Sequence, residues 1–419
     1  MSRPTLLAPF RVRSYRFQWP ADQLVSWAFE METLILGWYV LVETGSVVML
    51  TIYASMLYVG TLIAPMLGVL SDRIGHRIML ACMRAVYAGV AATFMILAFT
   101  SLLSPYLVFA LAAVSGIVRP SDLGLRGAMI AETMPPAHLT AAMGISRTTS
   151  DTARILGALV GAGLATSFGI GPAYVIVTAF YATGAILTLF ASAPRADSAG
   201  LPPVAEPVVS SSPWRDLREG IVHIWNTPAL LAMIWYAFLF NLTTFPLTQG
   251  LLPYVAKDIY LVDQTGLGYL VASIALGALT GALLMSQSSI HVSLTRVMIV
   301  SAVVWHVLLL IFGQMQTMTG GIVMLLVVGF AQSLTMVSHS VILLQLAGPR
   351  FRGRALGVRM MAIYSLPLGL LAAGVLIGWI GYPATVALYA VVGLVLTIVS
   401  AVYWRAYLWS PRPLHDTLH

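Results

Sequence analysis

Charged residues make up only 9% of this 419-residue chain, where an ordinary soluble domain carries about 25%. With 59% hydrophobic residues, a water-soluble globular fold is excluded. The single cysteine, Cys82, lies inside an apolar run, which rules out an intrachain disulfide and argues against a thiolate metal site. Lys257 is the one lysine, so 21 of the 22 basic residues are arginine. Catalytic signatures are missing as well: there is no His-Glu-x-x-His, no Gly-x-Ser-x-Gly and no glycine loop for a nucleotide. The loops are too short for a soluble catalytic domain, so no enzymatic activity and no cofactor are expected; a membrane sensor or enzyme is the weaker alternative. Residues 1–16 are basic, but a full-length apolar span follows with no small-residue cleavage site, so the N-terminus is expected to be retained.

What the chain has in abundance is apolar runs of membrane-spanning length. About 20 apolar residues cross a bilayer, and reading runs between polar or Pro/Gly breaks gives twelve. They lie near residues 17–43, 46–70, 78–101, 104–133, 139–167, 171–192, 227–255, 264–286, 291–314, 319–347, 354–379 and 383–408. The expected fold is therefore an all-α polytopic membrane protein with twelve transmembrane helices. Arginines gather in the N-terminal tail, after the second span, in the central loop, near residue 296, at Arg350, Arg352 and Arg354, and in the C-terminal tail; the alternate loops have almost none. That alternation is the positive-inside pattern. It puts both termini in the cytoplasm, points to the cytoplasmic (inner) membrane, and assigns the net charge of +7 to the lipid bilayer rather than to nucleic acid.

Residues 193–213 form the one long polar, Pro/Ser-rich stretch and read as a linker. Trp214, Leu217, Ile221 and Trp225 then recur at helical spacing among charges, the pattern of an amphipathic helix on the membrane surface. The expected domains are a six-helix bundle at 1–192, a cytoplasmic linker with this helix at 193–226, and a second six-helix bundle at 227–419. Sliding one half along the other by 213 positions pairs Gly68 with Gly281, Gly116 with Gly329, Pro136 with Pro349, Gly144 with Gly357 and Gly161 with Gly374. Parallel six-span repeats are a transporter architecture. Small-xxx-small pairs, Gly157 with Gly161, Gly277 with Gly281 and Gly374 with Gly378, predict close helix approach.

Between the second and third spans lies Gly68-x-Leu70-x-Asp72-Arg73-x-Gly75-x-Arg77. In that place, on the cytoplasmic side of a twelve-span chain, it resembles the loop motif of the major facilitator superfamily. Pro-Pro-Ala-His-Leu-Thr-Ala-Ala at 135–142 and its counterpart Gly-Pro-Arg-Phe-Arg-Gly-Arg-Ala at 348–355 make the chain most similar to the branch of drug and siderophore exporters. The copy around Ser286 to His291 has lost its acid and first basic residue, and the fifth span lacks the Gly-Pro pair of many antiporters. The resemblance implies alternating access. Gly68, Asp72, Arg73, Gly75 and Arg77 would form a cytoplasmic gate, with Asp72 reaching the start of the eleventh span near Arg352 and Arg354.

An ionisable residue near a helix centre costs roughly 2.5–3.5 kcal/mol in a membrane and marks a function or a buried partner. In the first span Asp22, Ser26, Glu30 and Thr33 form one polar stripe, and Glu32 points elsewhere. Arg119, Asp122 and Arg126 share a face of the fourth span; Arg147, Asp151 and Arg154 share one of the fifth. Each triplet can pair internally. The second half offers Asn241, Thr243, Thr244 and Gln249 around Pro246, where a broken helix could expose backbone, and also Gln332, His339 and His306. In the superfamily pattern the first and fourth spans line the cavity, which would bring Asp22 and Glu30 together with Arg119 and Arg126. Glu30, poised between an apolar cavity and a guanidinium, could load and release a proton. The first-span acids favour a cationic or neutral amphipathic compound exported against protons; the arginines favour an organic anion moved in either direction. The expected partners are thus a small-molecule substrate and protons, handled by a monomer.

Overall fold

The computed structural model describes residues 8–191, 219, 221–287 and 293–408, with some further side chains undescribed. Local sequence punctuates the helices. Proline opens α5 (Pro105–Thr133), α6 (Pro136–Phe168) and α8 (Pro228–Thr243), where its missing N–H would be unpaired in any case. Glycine closes α1 (Arg13–Thr44) at Gly45 and α3 (Ala64–Ile74) at Gly75, with φ of 61° and 94°. Only glycine adopts such angles without strain. The remaining helices are α2 (Val47–Met56), α4 (His76–Phe99), α7 (Ile170–Phe190), α9 (Gln264–Gln287), α10 (Leu294–Phe312), α11 (Met318–Ile363), α12 (Ser365–Ile380) and α13 (Tyr382–Tyr403).

Every regular element among the described residues is helical, and ten stretches are long and apolar enough to span a membrane. This is a multi-pass membrane protein. Two of the twelve expected spans fall outside those ten. The run near 46–70 is divided into α2, a 3-10 turn at Val59–Leu62 and α3. α6 has the length, at 33 residues, but carries Arg147, Asp151 and Arg154 around its middle.

Two further local expectations are corrected. A loop was expected between the tenth and eleventh runs, yet the backbone stays helical through all 46 residues of α11. Local propensity does not account for this, since the link at 348–353 holds two glycines and a proline. Around Pro246 a broken helix that exposes backbone was expected. The α-helix does end, at Thr243, and the chain widens into π turns at Pro246–Gly250 and Val255–Ile259, but Pro246, Leu247, Thr248 and Gly250 are buried. A π turn absorbs the hydrogen bond that proline cannot donate.

The chain divides into two compact units. The first comprises Met1–Gly45, Met56–Ser211 and Asp263–Ala272; the second comprises Ser46–Ser55, Ser212–Val262 and Ser273–His419. Within the first, α1 packs on α5, α6 and α7, and α4 lies along α7. Within the second, α10 packs on α11 and α13, and α8 on α11, α12 and α13. The linker and the residues Trp214 and Leu217 lie outside the described residues.

The same glycine contact is built twice. In the first unit a Cβ on Gly60 would strike the backbone of Gly116 and Ile117, and one on Gly116 the Met56 carbonyl. In the second, a Cβ on Gly277 would strike the Leu326 carbonyl, and one on Gly329 that of Ile274. Gly116 and Gly329 keep the 213-residue offset, but Gly60 and Gly277 are 217 apart (277 − 60). The two contacts are thus spaced four residues differently in the two units. Because a backbone carbonyl cannot move aside as a side chain can, Gly116→Ala should destabilise the protein by about 1–3 kcal/mol. A lowered thermal midpoint in detergent will show it; an unchanged midpoint would mean the helices part without penalty.

Candidate functional site

The first unit holds two separate groups of charge. The deeper one begins at Asp22 on α1. Its Oδ1 accepts from Arg84 Nη2 on α4, and Arg84 Nη1 donates to Thr188 Oγ1 on α7 at 2.5 Å. Arg126 of α5 pairs with Asp122 one turn earlier (Nε to Oδ2, 2.5 Å), lies 3.8 Å from Asp22, and donates to Ser26 Oγ at 2.7 Å. Arg84 Nε is 3.8 Å from Asp122 Oδ1. Gln18 donates to the Arg126 carbonyl at 3.1 Å. All four charged side chains are buried, Arg84 completely. Two carboxylates and two guanidiniums sum to zero, the condition under which charges can be held away from water.

The second group surrounds Glu30, eight residues along α1. Arg154 of α6 and Arg119 of α5 act electrostatically on Glu30, and Tyr58 feels all three. α6 approaches α1 here because Gly157 faces Glu30 Cβ and Gly161 faces Met31, each glycine leaving no room for a Cβ. The small-xxx-small pair of the sequence thus seats one helix on the other. Glu30, Arg119 and Arg154 are each only partly buried. Arg119 stacks its guanidinium on the Phe29 ring, and its Nη1 is buried without a hydrogen-bond partner.

The expected site is thus divided. Asp22, Asp122 and Arg126 come together as predicted, but with Arg84 rather than Glu30 or Arg119. Arg119 does not pair with Asp122 along its own helix; the i, i+3 spacing permits that contact, and stacking on Phe29 displaces it. Arg84 escaped the sequence reading, although an arginine midway in an apolar run is the signal that flags a buried partner. Asp151 is partly buried on α6; the side chain of Arg147 lies outside the described residues.

The second unit has an ion pair of Lys257 with Asp258 at 3.8 Å, and its buried asparagine and histidines meet mainly backbone carbonyls. Asn241 donates to the Ala237 carbonyl at 2.8 Å, His339 Nε2 meets the Met233 carbonyl at 2.8 Å, and His306 lies between the Ala302 carbonyl (2.8 Å) and Thr243 (3.3 Å). Gln332 is buried with Oε1 unpartnered.

Of the expected gate, Gly75 makes the turn, and its N–H donates to the Ser71 carbonyl at 2.8 Å. Arg73 is exposed. Arg77 donates to the Ala191 carbonyl at 3.2 Å, capping the C-terminal end of α7, where a cation meets the negative end of the helix dipole. His76 Nδ1 meets Glu132 Oε1 at 2.5 Å, tying the start of α4 to the end of α5. Gly68 lies within α3; the side chains of Asp72, Arg352 and Arg354 lie outside the described ones.

Removing one member of the deeper network leaves an uncompensated buried charge. Arg84→Leu should destabilise by about 3–5 kcal/mol. Asp22→Leu added to Arg84→Leu restores neutrality and should recover part of that loss. Thermal unfolding of the single and double variants measures both, and a double variant worse than the sum of the singles would contradict the charge-balance account.

Known proteins resemble this chain along most of its length. The profile of the Major Facilitator Superfamily matches residues 24–257. A multidrug efflux pump, Tap of Mycolicibacterium fortuitum, is 26% identical over 376 residues, 87% of this chain and 89% of that one. Among solved structures, the fold matches the POT family transporter PepTSo (TM-score 0.73, 11% identity, 95% of this chain and 99% of that one). It also matches a bacterial homologue of the human lysosomal transporter Spinster (0.70, 14%, 97% and 100%) and the nucleoside transporter NupG (0.67, 18%, 94% and 99%). These relatives are membrane transporters, not enzymes, and the chain belongs to the Major Facilitator Superfamily.

Proposed function

We propose that this transporter exports a small amphipathic organic molecule, cationic or neutral, across the cytoplasmic membrane in exchange for protons, by alternating access of two six-helix bundles. The α2–α3 segment and α6 complete twelve spans in this reading, with both termini cytoplasmic. The observation that carries it is the likeness to a multidrug efflux pump along 87% of the chain. The division of charge supports it. The deeper network is sealed and neutral, so Glu30 with Arg119 and Arg154, all partly exposed, is the group left for a substrate to meet. Glu30 is the one acid of that group, and a cation would meet it by displacing Arg119 or Arg154; the Phe29 ring, on which Arg119 stacks, would then offer an apolar and π surface.

In proteoliposomes, a pH gradient should drive movement of a lipophilic cation such as tetraphenylphosphonium, and collapse of the gradient should stop it. Movement indifferent to the gradient would remove proton coupling. Glu30→Gln should weaken binding of the cation about tenfold, the effect of about 1.4 kcal/mol of lost attraction, read as ligand-dependent thermal stabilisation. One observation favours a second reading. The buried, unpartnered Nη1 of Arg119 would suit an organic anion, a carboxylate or siderophore, held by the arginines of the fourth and fifth spans. Loss of anion binding in Arg119→Ala with cation binding unchanged would decide for it.

A further inference from the structure

The approach to α1 is a fixed structure. In the 3-10 turn Ala8–Arg11 that precedes it, Ala8 and Pro9 are buried. The Phe10 ring meets those of Tyr15 (5.3 Å) and Trp19 (5.2 Å) edge on. Tyr15 Oη donates to the Ala142 carbonyl at 3.1 Å and Trp19 Nε1 to Thr149 Oγ1 at 2.9 Å, which pins the segment to α6. Arg16 Nε donates to the Phe10 carbonyl at 2.6 Å and holds the turn against the helix. Arg11, Arg13 and Arg16 are exposed on this rigid segment. None of the ion pairs among the described residues involves them. The first acid of the chain is Asp22, already committed within the neutral network.

Local electrostatics leave Arg13 unsupported. It opens a 32-residue helix whose first turn holds no acid and whose N-cap, Val12, makes no side-chain hydrogen bond. The helix dipole opposes a cation there and favours an anion. Four residues on, Phe17 shares the same face of α1, about 6 Å further along the axis. Its ring lies 6.1 Å from that of Phe190 at the end of α7, and Phe190, Leu189 and Ile186 are all exposed. On a spanning helix such a surface faces hydrocarbon. Trp19 and Tyr15, near the same level, are residues of the membrane interface. A guanidinium thus stands one turn outward of a lipid-facing aromatic pair, as a headgroup stands to its acyl chains. We propose that this is a binding site for an anionic phospholipid, with its phosphate at Arg13, Arg11 and Arg16 adding to the field, and an acyl chain along Phe17 and Phe190. Charge and apolar surface together select this occupant. A zwitterionic lipid brings an ammonium group to the arginines, and a free phosphate ion leaves the aromatic pair unused. The leaflet is the cytoplasmic one in the orientation proposed above. The lipid holds the end of the helix that carries both Asp22 and Glu30.

The full-length protein, exchanged into lipid-free detergent and titrated with phosphatidylglycerol, tests this. Its thermal midpoint should rise with the lipid, and native mass spectrometry should retain bound phosphatidylglycerol. Phosphatidylcholine and inorganic phosphate should do neither. Arg13→Gln should weaken phosphatidylglycerol binding about fivefold, the effect of one arginine at an anionic surface, and Arg13→Lys should keep most of it. Arg296→Gln, which removes an exposed arginine of the second unit, should leave binding unchanged. Phe190→Ala should weaken retention of the lipid with the headgroup intact. Equal losses in Arg13→Gln and Arg296→Gln would show diffuse attraction to the whole basic surface and overturn the site. Equal stabilisation by inorganic phosphate would show an ion site and overturn the lipid. A midpoint indifferent to phosphatidylglycerol overturns both.

Discussion

Charge buried in hydrocarbon must be compensated, and the four-residue network of Asp22, Arg84, Asp122 and Arg126 is how the first unit meets that demand. Each ion would be strongly unfavourable alone in such surroundings. Together they bind α1 to α4 and α5, and Thr188 extends the contact to α7. Four helices are thereby fixed in rotation about their axes. Gln18 and Ser26 follow from the same arrangement, as donor to the Arg126 carbonyl and acceptor from its guanidinium.

Once α1 is fixed in this way, its other polar positions have defined surroundings. Glu30 is carried to the face that α6 approaches through Gly157 and Gly161, and Glu32 is carried round to a buried face. Structure and chemistry are thus segregated along one helix. The sealed, neutral group secures the helix, while the group around Glu30 stays partly exposed. The glycine contacts of Gly60 with Gly116, and of Gly277 with Gly329, serve a different need. In a membrane there is no hydrophobic force between helices, and close backbone approach supplies the attraction.

The two units share this packing and differ in polar chemistry. Where the first uses ions, the second uses histidine, asparagine and threonine, whose groups largely find backbone carbonyls within their own unit. Neutral groups need no partner of opposite charge, so the second unit can accommodate them one at a time. Proton chemistry in the proposed mechanism therefore belongs to the first unit.

The sequence by itself determined the membrane class, the superfamily loop at Gly68 to Arg77, and the short list of buried charges, because composition, run length and helical spacing are local properties. It also foresaw that Asp22, Asp122 and Arg126 are buried polar groups in need of partners. Tertiary structure alone decided who those partners are. Arg84 takes Asp22 because α4 brings it there from 62 residues away, and spacing along α1 carries no record of that approach. The stacking of Arg119 on Phe29 and the commitment of Arg77 to the end of α7 are likewise properties of neighbouring helices. A periodicity shows which face of a helix is polar; only packing shows what that face meets.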